Sequence, residues 1–338
     1  RHPRVEGDPA VTDTPNPSDA PSRPGVTHPD ADDQLDPWVV QWMVDNPLRA
    51  GVFDTLDPAI LPRARGDNPF PVTREIARVT DEEVVGVPVR IYEHDEPATG
   101  LLVYLHGGGF CIGSIGLMDG VARELAHATG AAVVSVEYRL APEHPYPAGL
   151  DDCEAVTRWA LANSDRFGVD PGQVVVGGES AGGNLTAAVA LRLRRDPGPA
   201  PLAAQLLLYP GTAGRADDAD LPSREYFNGI VLSHKARDVF WGAYSADRDL
   251  DGDPEAAPLW ADDLTGLPPA IVVLGGCDVL RDEGRAYGRR LAESGVPTHE
   301  VCYPGQPHGF LNQGFPAADE AWVEIGTWLR PILAAAGG

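Results

Sequence analysis

From about residue 100 onward, short apolar runs alternate with stretches of helical period. The runs are 101–105 (LLVYL), 131–136 (AAVVSV), 173–177, 204–209 (AQLLLY), 270–274 (AIVVL) and 298–303. Between them, 118–129, 151–164, 181–194, 283–295 and 318–334 space their apolar residues as helices do. Near-continuous apolar strands separated by helices predict a mostly parallel sheet covered on both faces, with right-handed crossovers. Ahead of this unit, 74–80 and 84–92 (VVGVPVRIY) read as antiparallel strands.

Two stretches depart from the alternation. Residues 1–36 hold seven prolines and eight acidic residues with few large apolar ones. Such a segment buries too little to offset its ordering entropy, so 1–35 is expected to be disordered or loosely ordered. Asp36-Pro37 reads as an N-cap with Pro at the first helical position, and Trp38, Val39, Trp42 and Met43 follow at helical spacing. A second short helix is expected after Asp57-Pro58. The other departure lies between Tyr209 and Ala270, about 60 residues without the alternating pattern. Part of it, 234–245, is helical in period, with Val239, Phe240 and Tyr244 on one face. An insertion of that length in a compact domain predicts a lid over a site.

Chemistry concentrates at strand ends. Gly178-Glu179-Ser180-Ala181-Gly182 fits G-x-S-x-G between an apolar strand and an alanine-rich helix. That is the context of a nucleophile elbow, a sharp turn that exposes the serine hydroxyl. The helix that follows points its N–H groups at the same place and favours developing negative charge. His106-Gly107-Gly108-Gly109-Phe110 follows the run 101–105. Consecutive glycines can present backbone N–H groups to an oxyanion with no side chain in the way. A serine nucleophile needs a base, and the base needs an orienting carboxylate. Asp278 follows the run 270–274, and His308 follows the last run, in Gln306-Pro307-His308-Gly309-Phe310. Both fall at carboxyl ends of predicted strands, where open parallel sheets hold their sites.

Competing readings are weaker. The glycines at 107–109 do not make a dinucleotide loop, because G-x-G-x-x-G would need glycine where Ile112 stands. His106 is expected to prop its loop, and Asp282 to cap or tether one. His94, His127, His144, His234 and His299 lie outside the motifs. Asp247, Asp249 and Asp251 imitate a calcium loop, but its twelfth position is Pro258, so no metal is expected there. The sequon at Asn184 falls in a helix that should be buried. Cys111, Cys153, Cys277 and Cys302 lie far apart and read as small buried hydrophobes.

The 26 basic and 50 acidic residues leave a net charge of −24. That balance disfavours nucleic acid and anionic membranes. No apolar run approaches the length of a membrane span. The chain begins at Arg1 without a leader-like pattern, so a cytoplasmic location is expected.

HGGGF, GESAGGN, YRLAPEHPYPA, GCDVLRDEG and PHGF together resemble the hormone-sensitive-lipase family of esterases, over 73–334 well and 36–72 loosely. The resemblance implies an α/β-hydrolase fold with helices on both faces of the sheet. It implies a small helical cap from 36–72 and part of 212–248, on a catalytic domain of 73–338. By the same resemblance Ser180, Asp278 and His308 form a catalytic triad. Gly108, Gly109 and Ala181 then donate to the oxyanion. Family members commonly carry Asp where this chain has Glu179, which bears on how the neighbouring loop is tethered. YRLAPE resembles a structural motif of the family. The expected function is hydrolysis of short- to medium-chain carboxylic esters, without metal or organic cofactor, on a small-molecule substrate. Acyl transfer or amide hydrolysis by the same triad is the alternative. A non-catalytic small-molecule receptor of the same fold is the remaining alternative, disfavoured because gibberellin receptors, which resemble this family, lack the functional histidine and His308 is present. Trp38, Trp42, Phe110, Tyr226, Phe227 and Phe310 are the expected pocket walls. The last strand as a possible pairing edge leaves monomer and homodimer both open.

Overall fold

The computed structural model describes residues 34–46, 65–66, 74–215, 221–250 and 252–335. Among these, eight strands form one sheet in the order β1-β2-β4-β3-β5-β6-β7-β8. They are β1 (Arg78–Val84), β2 (Val87–Glu93), β3 (Leu101–Leu105), β4 (Ala132–Val136), β5 (Val174–Glu179), β6 (Ala204–Leu208), β7 (Ala270–Gly275) and β8 (Thr298–Tyr303). β1 and β2 pair antiparallel, β2 runs antiparallel to β4, and every later pairing is parallel. The sequence places the first two strands one to four residues early. The shift follows from a turn at Val85-Gly86, where both residues have positive φ (50° and 80°) and close a tight hairpin.

The strands β3 to β7 are buried along their whole length, as central parallel strands must be. Side chains alternate between the two faces. On one face Leu101, Val103, Leu105, Val134 and Val176 pack with α3 (Ala148–Ala162) and α4 (Ala181–Arg195). On the other, Leu102, Tyr104, Val133, Val175 and Leu206 pack with α2 (Asp119–Thr129) and α8 (Pro316–Ala335). The edge strands β1 and β8 are only partly buried.

Helix α1 (Pro37–Asp45) starts as its sequence predicts: the Asp36 carboxylate accepts the Trp38 N–H at 2.8 Å. Val39 is its buried residue and belongs to the second face's core. The expected helix after Asp57, and nearly all of the expected tail, lie outside the described residues. Arg65 is described, and it donates to Cys111 O at 2.8 Å, to Ala141 O at 2.7 Å and to both Glu143 oxygens. The insertion after β6 contributes α5 (Ser223–Tyr226) and α6 (His234–Ser245), and α7 (Arg281–Glu293) follows β7. Ser233 caps α6 through Oγ, which accepts the Ala236 N–H at 3.0 Å. The buried face of α6 is Ala236, Phe240, Trp241 and Tyr244. Val239, expected on that face, is less buried because a helix stripe follows the i, i+4, i+8 row through 236, 240 and 244. No helix among the described residues is long and apolar enough to cross a membrane.

Candidate active site

The elbow is built by backbone meeting backbone. β5 ends at Glu179, Ser180 takes φ 55° and ψ −116°, and α4 begins at Ala181. Positive φ is costly for a residue with a Cβ and persists only where the surroundings fix it. Ser180 N–H donates to Leu208 O at 2.8 Å, and its carbonyl accepts from Asn184 (3.1 Å) and Gly211 (3.2 Å). A Cβ on Gly182 would lie 1.9 Å from Leu105 O, and one on Gly178 would lie 2.4 Å from Gly182 O. The spacing G-x-S-x-G therefore has a steric cause in this chain.

Three loops at the carboxyl edge of the sheet bring Ser180, His308 and Asp278 into one hydrogen-bonded line. His308 Nε2 lies 2.9 Å from Ser180 Oγ, and Nδ1 lies 2.8 Å from Asp278 Oδ2. A carboxylate only accepts, so Nδ1 carries the proton and Nε2 is left to accept from the serine hydroxyl. Asp278 is fully buried, and its second oxygen accepts the Leu280 N–H at 2.8 Å. The Tyr209 ring meets the His308 ring edge-on, with centroids 5.2 Å apart. Such a line can remove a proton from the serine and hold the resulting imidazolium beside a fixed charge.

The glycine loop after β3 meets the elbow, where a Cβ on Gly182 would lie 2.7 Å from His106 O. Gly108 has φ 122° and Gly109 φ 58°, conformations that suit glycine. Among the described residues nothing accepts the Gly108 or Gly109 N–H, and Ala181 opens a helix, where the first N–H groups lack an intrahelical acceptor. Gly107 is turned elsewhere: its N–H donates to Glu179 Oε1 at 3.0 Å. The other Glu179 oxygen accepts from Tyr209 at 3.2 Å. His106 braces this loop, stacked on Tyr138 at 4.3 Å with Nδ1 2.8 Å from Gly107 O, while Tyr138 OH donates to His106 O at 2.7 Å. YRLAPE thus supports the glycine loop from behind. Asp282 tethers the insertion, its Oδ2 accepting the Ser223 N–H at 2.7 Å. Asn184 is buried and donates to Gly211 O and Ala256 O.

The expected pocket walls separate into two groups. Trp38 is 69% exposed on α1, which turns Val39 inward. Trp42 packs edge-on against Phe315 at 5.6 Å in the second-face core. Phe310 is fully buried against Tyr209 and Tyr303, so it supports the His308 loop from beneath and presents no surface to a ligand. Phe110, Tyr226 and Phe227 do lie at the insertion. Phe110 stacks on Tyr244 at 3.8 Å. Tyr226 and Phe227 pack with Cys277, Val279 and Leu280, the residues around Asp278. Phe240, expected on the inward face of 234–245 but not among the pocket walls, has its ring over Gly109, where a Cβ would meet it at 2.4 Å. Its place in the α6 stripe was the available signal.

A mostly parallel sheet with an antiparallel edge, a strand–serine–helix elbow and a Ser–His–Asp line at the strand ends define an α/β hydrolase. The family described as alpha/beta hydrolase fold matches residues 102–312. Esterase LipI of Mycobacterium tuberculosis is 38% identical over 311 residues, 88% of this chain and 95% of that protein. An arylesterase of Saccharolobus solfataricus is 37% identical over 279 residues, 81% of this chain and 88% of its own length. The solved hyperthermophilic esterase from Pyrobaculum calidifontis superposes with a TM-score of 0.76 at 33% identity, covering 89% of this chain and 99% of that one. The chain belongs to the hormone-sensitive-lipase-like esterase family of the α/β-hydrolase fold.

Proposed function

We propose that this chain hydrolyses carboxylic esters of short to medium acyl length through an acyl-enzyme on Ser180. His308 takes the Ser180 proton as Oγ attacks the ester carbonyl, and Asp278 holds the ring and stabilises the imidazolium. Gly108, Gly109 and Ala181 N–H groups receive the oxyanion, each worth about 3 kcal/mol of barrier in sites of this kind. His308 then gives its proton to the departing alcohol. Water, deprotonated by the same imidazole, attacks the acyl-enzyme and releases the acid. Side chains and backbone handle every proton and charge in this cycle, and the partner is a small-molecule ester.

The observation that carries the reading is the His308 ring, with Ser180 Oγ 2.9 Å from one nitrogen and the buried Asp278 carboxylate 2.8 Å from the other. The names of the similar esterases support the reaction class. The test is hydrolysis of p-nitrophenyl acetate, butyrate, octanoate and palmitate, with a reactive phosphonate to trap the nucleophile. Turnover highest on the shorter esters, with one phosphonate per chain on the peptide holding Ser180, is expected. Label on another residue with activity abolished would overturn the assignment.

A further inference from the structure

Two guanidinium groups of the insertion, Arg224 and Arg237, converge on one buried carboxylate of α7, Glu283. Glu283, in the first turn of α7, is 2% exposed. Its Oε1 accepts the N–H groups of Thr212 (2.7 Å) and Ala213 (3.3 Å), and its Oε2 accepts Nε (3.1 Å) and Nη2 (2.8 Å) of Arg224. Arg237, on α6, comes to the same Oε2 only at 3.7 Å, with its side chain 17% exposed. Its hydrogen bond is a long one, from Nη2 to Gly214 O at 3.4 Å. A guanidinium has five N–H donors, so most of those on Arg237 are uncommitted among the described residues. Burial presses its pKa below the ordinary arginine value; Glu283 opposes this, and the like charge of Arg224 adds to it. Arginine nevertheless stays charged. A charge so placed is relieved by an incoming anion.

Two links tie Arg237 to the elements around Ser180. Phe240, three residues on along α6, is the ring that covers Gly109. Residues at that spacing have Cβ atoms about 5–6 Å apart on one helix face. Thr212 and Ala213, gripped by Glu283, follow Gly211, whose N–H bonds the Ser180 carbonyl. Asp278 lies within electrostatic reach of Arg237. The chain carries a net charge of −24, so a substrate anion is repelled in general and needs a specific cation to be held.

We propose that Arg237 anchors a carboxylate on the substrate, so that the preferred esters are those carrying a free carboxylate a few bonds from the scissile carbonyl. This rests on the esterase reading above. The guanidinium fork pairs with a carboxylate through two N–H groups, which fixes orientation as well as affinity.

The test compares kcat/KM at pH 7 for monomethyl glutarate against methyl pentanoate, and for 4-carboxyphenyl butyrate against phenyl butyrate. The first pair places the carboxylate on the acyl side and the second on the alcohol side. The wild-type chain should prefer the charged member of one pair, which assigns the side. In Arg237→Met that preference should fall about 10- to 100-fold, mostly through KM of the charged ester, and Arg237→Lys should keep part of it. A wild-type chain that prefers the neutral member of both pairs overturns the proposal, whether or not the variants fold. So does an Arg237→Met loss that is equal on charged and neutral esters. Failure to hydrolyse any of the four esters strikes the esterase reading instead.

Discussion

On one side of Ser180 stand the elbow, the Asp278 loop and the His308 loop; on the other stands the insertion of 221–250. The first side is held by backbone against backbone. Gly182 has room for no Cβ at all, with Leu105 O 1.9 Å from where one would sit. Gly275 is similar, 2.7 Å from Gln306 O, which presses the strand before Asp278 onto the loop before His308. The second side is held by side chain on side chain: Phe110 on Tyr244, Trp241 beside Tyr244, Phe227 under the Arg281 guanidinium. Backbone cannot yield without moving a strand, whereas rings and guanidinia can shift or be replaced by others of similar volume. The Ser–His–Asp geometry is thus fixed by the first side, and in the proposed function the shape offered to the ester is left to the second.

The harshest way to break that division is at the nucleophile. Ser180→Ala should lower kcat on p-nitrophenyl butyrate by roughly 10^4-fold or more while leaving the thermal midpoint nearly unmoved, since no packing contact depends on Oγ. A matched pair of glycine substitutions then weighs the two sides. Gly182→Ala should cost about 3 kcal/mol or more in denaturant unfolding, because the intruding methyl meets backbone oxygens. Gly242→Ala, in the middle of α6, would meet only the far ends of Arg215 and Asp247 at 3.3 Å. It should leave stability unchanged or raise it by about 0.5–1 kcal/mol, through the better helix propensity of alanine. Equal costs at the two positions would erase the contrast.

Alkaline titration separates the sides by a smaller effect. Cys111 lies buried in the cluster with Phe240 and Phe227, and burial pushes its thiol up to about 12. Tyr303, beside Phe310 beneath the His308 loop, is likewise pushed up by burial to about 12. In the unfolded chain a thiol ionises near about 8.5 and a phenol near about 10. The folded state therefore holds these protons more tightly. Their stabilisation is complete below the unfolded pKa and is lost as pH rises towards 12. For Cys111 alone the loss by pH 10 is on the order of 2 kcal/mol. Urea midpoints at pH 8 and pH 10 should fall less steeply in Cys111→Ala than in the wild-type chain, and Tyr303→Phe should act only nearer pH 11. An unchanged slope in Cys111→Ala would show that this cluster opens before the sheet does.

What could be read in the sequence follows the same division. The elbow, the glycine loop, and the strands leading to Asp278 and His308 are legible because sterics and chemistry leave almost no choice of residue there. The insertion offers only a helical stripe, which marks Phe240 and Tyr244 as inward-facing without saying what they face. Phe310, expected as a pocket wall, is instead core for a physical reason. A large aromatic near a motif says that something apolar is adjacent, but not whether that neighbour is a ligand, the core or solvent. Arg237 was invisible because its meaning depends on Glu283 being saturated by Arg224, a relation 46 and 59 residues long. The hairpin register moved because Val85 takes a positive φ, which no propensity for valine would suggest.

The smallest effect lies where the two kinds of packing meet. Glu179 joins the elbow strand to the glycine loop through Gly107 N–H and to the His308 ring through Tyr209. It touches neither substrate nor reacting atoms, so it acts as a positioning residue. Glu179→Ala leaves the buried Gly107 N–H without its acceptor and frees the loop to move by fractions of an ångström. A hydrogen bond to a charged group is worth about 1.5–3 kcal/mol, and only part of that is felt at the oxyanion. The expected loss in kcat on p-nitrophenyl butyrate is about 10-fold, with KM little changed, because oxyanion donors act in the transition state more than in the bound ester. Glu179→Gln keeps an oxygen for Gly107 and can still pair with the Tyr209 hydroxyl, so it should recover most of that loss. If Gln and Ala are equally impaired, the negative charge matters and the tether does not. If neither loses activity, the glycine loop is held by His106 and Tyr138 alone.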